Sequence, residues 1–418
     1  MKYVLGVLII LFATYSDIFL YRVGINPLPP ASLLIPLFMG AFVLRYNMKE
    51  VLSLFKSHTA KFFFLMLMLS TIFSAFSNAD PEVIRTNISL DVITLILYLF
   101  MLHFFIKEDK KTVFIVVFIS LIVLAGSVWY DFLIGLPKYN RTLAESVRKG
   151  GFGENPNKAA SGIKFLALGV LFFLEHSKTK KYLVITILVA TIFITFSRSG
   201  TVSAVLILIL GTMNNWKSTF QIDVQRLIKS FFRIVILFSV LYVALLTLAG
   251  VIRENFPAFT RGAAGERMDL LLGQSDKGVI AEDTGSGGGR GDLFLKYMDD
   301  FMSNPLGYGT GFTDDREFNS LNTHNQYLYL AVNYGILGLV LYLWLIGYGI
   351  KISISRNQFY CFVFYSLFVF EGLIAHNVFY ERAVLICVAF FDSLNYGEKY
   401  FDETLKRRIY NEPNNTLV

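Results

Sequence analysis

Long apolar stretches limit what this chain can fold into more than any other feature. MKYVLGVLIILFATYSDIFL opens it, VITLILYLFMLHFFI begins at Val92, and TVFIVVFISLIVLAGSVWY begins at Thr112. About 20 mostly apolar residues cross the roughly 30 Å of bilayer hydrocarbon as a helix. A soluble core could not hide so much apolar surface: 55% of the residues are hydrophobic and only 17% charged, where soluble domains carry about 25% charged. Lipid admits only helices or closed barrels, because every backbone polar group must find its partner inside the protein. The runs lack the period-2 alternation of a barrel strand. The expected fold is therefore all-α and polytopic, with about twelve transmembrane helices at 3–20, 29–46, 62–78, 88–106, 112–131, 159–175, 181–197, 200–214, 231–252, 324–350, 357–376 and 380–397. The first run has no distinct small-x-small cleavage site and many spans follow it, so it reads as a retained span and not a signal peptide.

The net charge of +7 would suggest nucleic acid until its placement is considered. With the N-terminus inside, the inner segments hold 21 of the 38 Lys and Arg residues, whereas the short outer loops hold only Arg22, Arg85, Arg198 and Arg382. The positive-inside rule explains that bias, so no nucleic-acid partner is expected and both termini are placed in the cytoplasm. Cys361 and Cys387 lie in apolar runs and support neither a disulfide framework nor a thiolate metal site. The chain then divides into N-terminal helices (1–131), an outer loop (132–158), helices carrying Arg198 (159–252), a large outer loop (253–323), C-terminal helices (324–397) and a cytoplasmic tail (398–418).

The polar residues that need explaining sit on the outer side, at span ends. Arg198, in TFSRSG, reads either as an interfacial anchor whose side chain snorkels or as an anion clamp that forks onto phosphate oxygens. Arg290 follows three glycines in GSGGGRGD and opens the amphipathic segment DLFLKYMDDFMSNP, predicted to be a short helix that stops before Pro305. It is either a solvated loop charge or a cation near a helix N-terminus, where backbone donors favour anions. His324, in THNQYLYLAVNYGILG, is either a hydrogen-bonded interfacial histidine or a general base. His376, in AHNVFYERAV, ranks below it as more structural. No metal-ligand spacing and no phosphate-binding loop ending in Lys-Ser/Thr is present, so no cofactor or metal is expected.

Three elements in order, TFSRSG, then GRGDLFLKYMDDFMSNPLGYGTG, then HNQYLYLAVNYGILGLVLYL, resemble the bacterial O-antigen ligase and polymerase superfamily. The third is the most specific: His324-Asn325, nine residues, Gly335, two more and Gly338. RKGGFGENPN, holding Arg148, Asn155 and Asn157, is similar to an arginine-glycine-Asn-Pro-Asn element that often precedes the core in this family. The resemblance covers roughly residues 148–345. Leu293 and Phe294 stand where many relatives have a tryptophan nearby.

The resemblance implies a metal-independent, inverting glycosyltransferase of the GT-C kind. Its donor would be an undecaprenyl-diphosphate-linked glycan, used on the outer face of the cytoplasmic (inner) membrane. Arg198, Arg290 and His324 fall on the family's catalytic positions; Arg148, Asn155, Asn157, Asn325 and His376 are carried over as substrate-binding. The acceptor separates two activities: another lipid-linked repeat for a polymerase of O-antigen or surface polysaccharide, the favoured reading, or the lipid A core of lipopolysaccharide for a ligase. Membrane lipid and partner proteins of polysaccharide assembly are further expected contacts. A transporter or flippase is the alternative from another class; it should place ionisable residues near the bilayer midplane. The helix interiors are poor in them, Asp91, Glu371 and Asp392 falling toward span ends, and the charge gathered outside favours a surface site. A structural scaffold would leave the ordered motifs unexplained.

Overall fold

The computed structural model describes residues 1–137, 149–221, 290–319 and 321–400, with scattered positions between 225 and 254. Among the described residues the regular elements are helices, with no strand. In chain order they are α1 (Lys2–Ala13), α2 (Ser16–Arg22), α3 (Leu34–Arg45), α4 (Met48–Ser53), α5 (His58–Ser74), α6 (Pro81–Lys107) and α7 (Lys110–Leu133). Then follow α8 (Pro156–Phe173), α9 (Lys178–Thr195), α10 (Arg198–Met213), α11 (Arg290–Ser303), α12 (Gln326–Ser355), α13 (Phe359–Ile374) and α14 (Arg382–Tyr400).

Twelve spans are not established. Among the described residues α6, α7 and α12 are long and apolar enough to cross a membrane, and two bent helix pairs raise the number to five. The expected helix 3–20 is one such pair: Tyr15 takes a left-handed conformation (φ 58°), and α1 and α2 meet at 67°. The other pair, 48–56 and 58–74, bends by 87°. Hydropathy averages over a window and is blind to a backbone that turns inside it. The apolar helices α3, α10 and α13 have at most 16 residues, about 24 Å at 1.5 Å per residue, short of the hydrocarbon thickness. The expected span 231–252 and most of the loop 253–323 lie outside the described residues.

The chain forms two compact units. Unit 1 comprises Met1–Ile9, Leu37–Val116 and Asp283–Val418. There α6 packs on α5 and α14, and α12 packs on α5, α11 and α13. Asp80 caps α6 through the Glu82 amide, with Pro81 in the first turn, where a missing N–H costs nothing. Asp392 is fully buried in this unit and accepts from Tyr98 Oη at 2.8 Å and Tyr365 Oη at 2.5 Å. Asp91 accepts from Tyr380 Oη at 2.5 Å. Two of the acids that a transporter reading would use are thus held by tyrosines of their own unit.

Unit 2 comprises Ile10–Pro36 and Val117–Glu282; in it α8, α9 and α10 pack against one another. The GGFGE sequence forms a tight turn pinned from three sides. Asp131 accepts from the Gly150 and Gly151 amides at 3.2 Å each, and Ser127 Oγ accepts from Phe152 N. Phe152 stacks on Phe19 at 4.3 Å. Gly151 has φ 62°, and a Cβ there would lie 2.3 Å from Ser127 Oγ, so glycine is required. Arg22 Nε pairs with Glu154 at 2.9 Å, with side chains only 2% and 7% exposed. Removing one partner of a buried pair strands the other charge, at a cost of about 3–5 kcal/mol. Arg22→Ala is therefore expected to lower the thermal denaturation midpoint in detergent sharply, and Arg22→Ala with Glu154→Ala to recover part of the loss. An unchanged midpoint in the single variant would refute this account of the turn.

Candidate active site

Arg198 opens α10 in unit 2, and the local sequence explains its setting. Ser197 caps the helix by accepting from the Gly200 amide at 3.2 Å and donates to Asn157 Oδ1 at 3.1 Å. Gly200 allows the approach of α8 and α9: a Cβ there would lie 2.9 Å from Ala160 Cβ and 3.1 Å from Ile192 Cγ2. The Ser197–Asn157 bond joins the N-terminus of α10 to that of α8, which Asn155 caps through the Asn157 and Lys158 amides. Two helix N-termini, each with a partial positive charge, therefore meet beside Arg198. The Arg198 side chain is exposed and has no hydrogen bond or ion pair to a described residue. The arrangement suits an anion, with a forked cation added to helix-end dipoles.

His324 belongs to unit 1, in a left-handed conformation (φ 48°) just before the cap of α12. Asn325 is that cap: its Oδ1 accepts from the Tyr327 and Leu328 amides, and its Nδ2 donates to Leu373 O at 3.3 Å. The ring of His324 meets His376 edge to face, centroids 5.2 Å apart. α11, which begins at Arg290, packs beneath this loop, with Leu293 and Tyr297 against Leu328 and Val332. Tyr297 Oη donates to Leu321 O at 2.5 Å, and Lys296 Nζ donates to Asn319 Oδ1 at 2.7 Å. Burial, with Asp300 adding to it, pushes the Tyr297 phenol up to about 12, so it remains a donor at any working pH. The Arg290 helix and the His324 loop are thereby fastened together.

Below this loop α12 is broken. Gly335 has φ 63° and ψ −157° inside the helix, and the segment 305–309 docks into the gap. Ile336 N donates to Pro305 O, Tyr308 N to Val332 O and Gly309 N to Asn333 O. A Cβ on Gly335 would sit 2.5 Å from backbone atoms of Pro305 and Leu306. Irregular backbone at membrane depth survives only where protein satisfies it, and here the NPLGYG loop does so. The Gly335 of the motif is thus a packing requirement that keeps the His324 end of α12 in register with the loop following α11.

Of the residues expected from sequence, the structure brings Asn155, Asn157 and Arg198 together in unit 2, and His324, Asn325 and His376 together in unit 1. Arg148 and the Arg290 side chain lie outside the described residues. Sequence reasoning missed Arg22 and Glu154, 132 positions apart, and the Arg316–Asn322 pair. It also missed Lys164, which is 1% exposed and donates to Ser203 Oγ at 3.2 Å between α8 and α10. A charged residue inside an apolar run was the available signal for Lys164; nothing local announced the others.

Apolar helices of spanning length describe an integral membrane protein. Residues 183–343, from within α9 to the middle of α12, match the family model described as O-antigen ligase. That match covers less than half of the chain and agrees with the resemblance to the O-antigen ligase and polymerase superfamily. No curated protein matches the chain at a significant level. One solved structure, described as "Structural coordination of polymerization and crosslinking by a peptidoglycan synthase complex", is similar at 13% identity and a TM-score of 0.44 over 87% of this chain and 99% of that one; a likeness that low carries no argument.

Proposed function

We propose that the protein is an inverting, metal-independent glycosyltransferase acting at the outer face of the cytoplasmic membrane. It moves a glycan from undecaprenyl diphosphate to a sugar hydroxyl, as a polymerase of O-antigen or another surface polysaccharide. The observation that carries this reading is the exposed Arg198 guanidinium at two joined helix N-termini, inside the region matching the O-antigen ligase family. Arg198 and Arg290 hold the diphosphate and stabilise the negative charge that develops on it as it departs. His324 takes the proton from the acceptor hydroxyl. The acceptor oxygen bonds to the anomeric carbon from the face opposite the diphosphate, the sugar–phosphate C–O bond breaks, and undecaprenyl diphosphate leaves with that electron pair. One direct displacement inverts the anomeric configuration. Apolar helix surfaces receive the isoprenoid tail, which comes from lipid and so gains van der Waals packing without a hydrophobic transfer energy.

The deciding experiment is to delete the gene and analyse the glycolipids. Single-repeat glycans on the lipid core are the outcome expected of a polymerase. Long glycans retained on undecaprenyl diphosphate would make the protein a ligase, and an unchanged glycolipid profile would defeat both.

A further inference from the structure

We propose that Arg316 and Asn322 are positioning residues that determine which nitrogen of His376 carries its proton, and thereby how His376 supports His324. The functional half of this inference rests on the reading of His324 as the proton acceptor; the structural half does not.

The argument starts from a guanidinium. Arg316 Nη2 lies 2.6 Å from the Asn322 side-chain amide, and an arginine side chain has donors only. Asn322 must therefore turn its oxygen to Arg316, which leaves its Nδ2 facing His376 Nε2 at 2.6 Å. An amide nitrogen is a donor only, so His376 Nε2 must be the acceptor. Its lone pair lies there, and its proton sits on Nδ1. A second proton on Nε2 would set one N–H against another, so His376 is held as a neutral ring of one tautomer.

That ring meets His324 edge to face at 5.2 Å, with an interplanar angle of 79°. A charged His376 would oppose a proton arriving on its neighbour, because like charges disfavour each other's ionised form. The neutral tautomer removes that obstacle and fixes the surface on which His324 rests. The segment carrying Arg316 and Asn322 is itself anchored. Asn319 donates to Phe312 O at 2.7 Å and accepts from Lys296 of α11, while Leu321 O accepts from Tyr297. Outer partners that orient a metal-bound histidine typically change affinity or activity by about 10–100-fold when lost, and the lower end of that range is expected for this pair.

The test uses the full chain in lipid nanodiscs with ¹⁵N-histidine, at a pH where free imidazole is neutral, the His376 signals being assigned with His376→Gln. The wild type should show Nδ1 protonated and Nε2 bare. Asn322→Asp substitutes a pure acceptor and should move the proton to Nε2. Arg316→Leu releases the amide to rotate and should populate both tautomers, while Arg316→Lys, still a donor, should keep the wild-type pattern. Turnover should follow: kcat falls by roughly tenfold in Asn322→Asp and Arg316→Leu with KM for the lipid-linked donor unchanged, and Arg316→Lys restores it. Should Asn322→Asp fail to fold, the pair of variants at exposed Arg316 carries the test. A wild-type His376 protonated at Nε2, or an unchanged pattern in Arg316→Leu, overturns the tautomer assignment. A changed pattern with unchanged kcat overturns the positioning role. A His324→Asn protein that transfers glycan at the wild-type rate defeats the reading of His324 without touching the NMR outcome, so the two failures are distinguishable.

Discussion

Arg198→Ala is expected to lower glycan transfer by about 10³-fold or more while leaving the protein folded. The size follows from its place. Losing one preorganised donor to a developing anion costs about 10²–10³, and Arg198 would supply two parallel donors and a full charge. The fold is spared because the side chain is exposed and the backbone of its turn is held by Ser197 and Gly200; surface changes of this sort typically stay within about 0.5 kcal/mol. Arg198→Lys should recover little, since an ammonium cannot fork onto two phosphate oxygens. The measurement is turnover of an undecaprenyl-diphosphate-linked donor in proteoliposomes, with thermal denaturation alongside. Wild-type turnover in the alanine variant would remove the arginine from the mechanism.

The second large effect is at His324. Its replacement should cost about 10²–10⁴ in kcat, the usual contribution of a positioned general base. Asn is the better substitute, because His324 occupies the left-handed region (φ 48°), which Asn enters more readily than Ala. An Ala variant would mix lost chemistry with backbone strain at the cap of α12. The pH dependence has a definite sign. A base works through its free lone pair, so wild-type transfer should fall as the pH is lowered and the ring takes a proton. The His324→Asn remnant should lack that limb. A residual activity with the same acid limb would assign the titrating group elsewhere.

Much of this protein was legible one residue at a time. The apolar runs predicted membrane helices, and α6 and α7 lie close to where hydropathy put them. The segment from Arg290 forms a helix that ends at Ser303, two residues before the proline expected to stop it. The asparagines of RKGGFGENPN and HNQYLYL were read as substrate contacts. Asn155 and Asn325 also accept from their own helices' first amides, a local pattern that the position of Asn before an apolar helix could have signalled. Other features were out of reach. The left-handed Tyr15 that bends the first run, and the gap at Gly335 filled by residues 305–309, depend on what packs against them and leave no mark on hydropathy.

Sequence by itself determined the membrane-helix composition and the region of family resemblance, and singled out Arg198 and His324 as candidates, because periodic apolarity and short motifs are properties of neighbours along the chain. The tertiary structure decided how those residues are held. Glu154 is reached by Arg22 from 132 positions away and His376 by Asn322 from 54. Directional bonds of that reach exist only after distant helices have packed, since a hydrogen bond requires its donor and acceptor within about 3 Å and in line, a condition that only folding can meet.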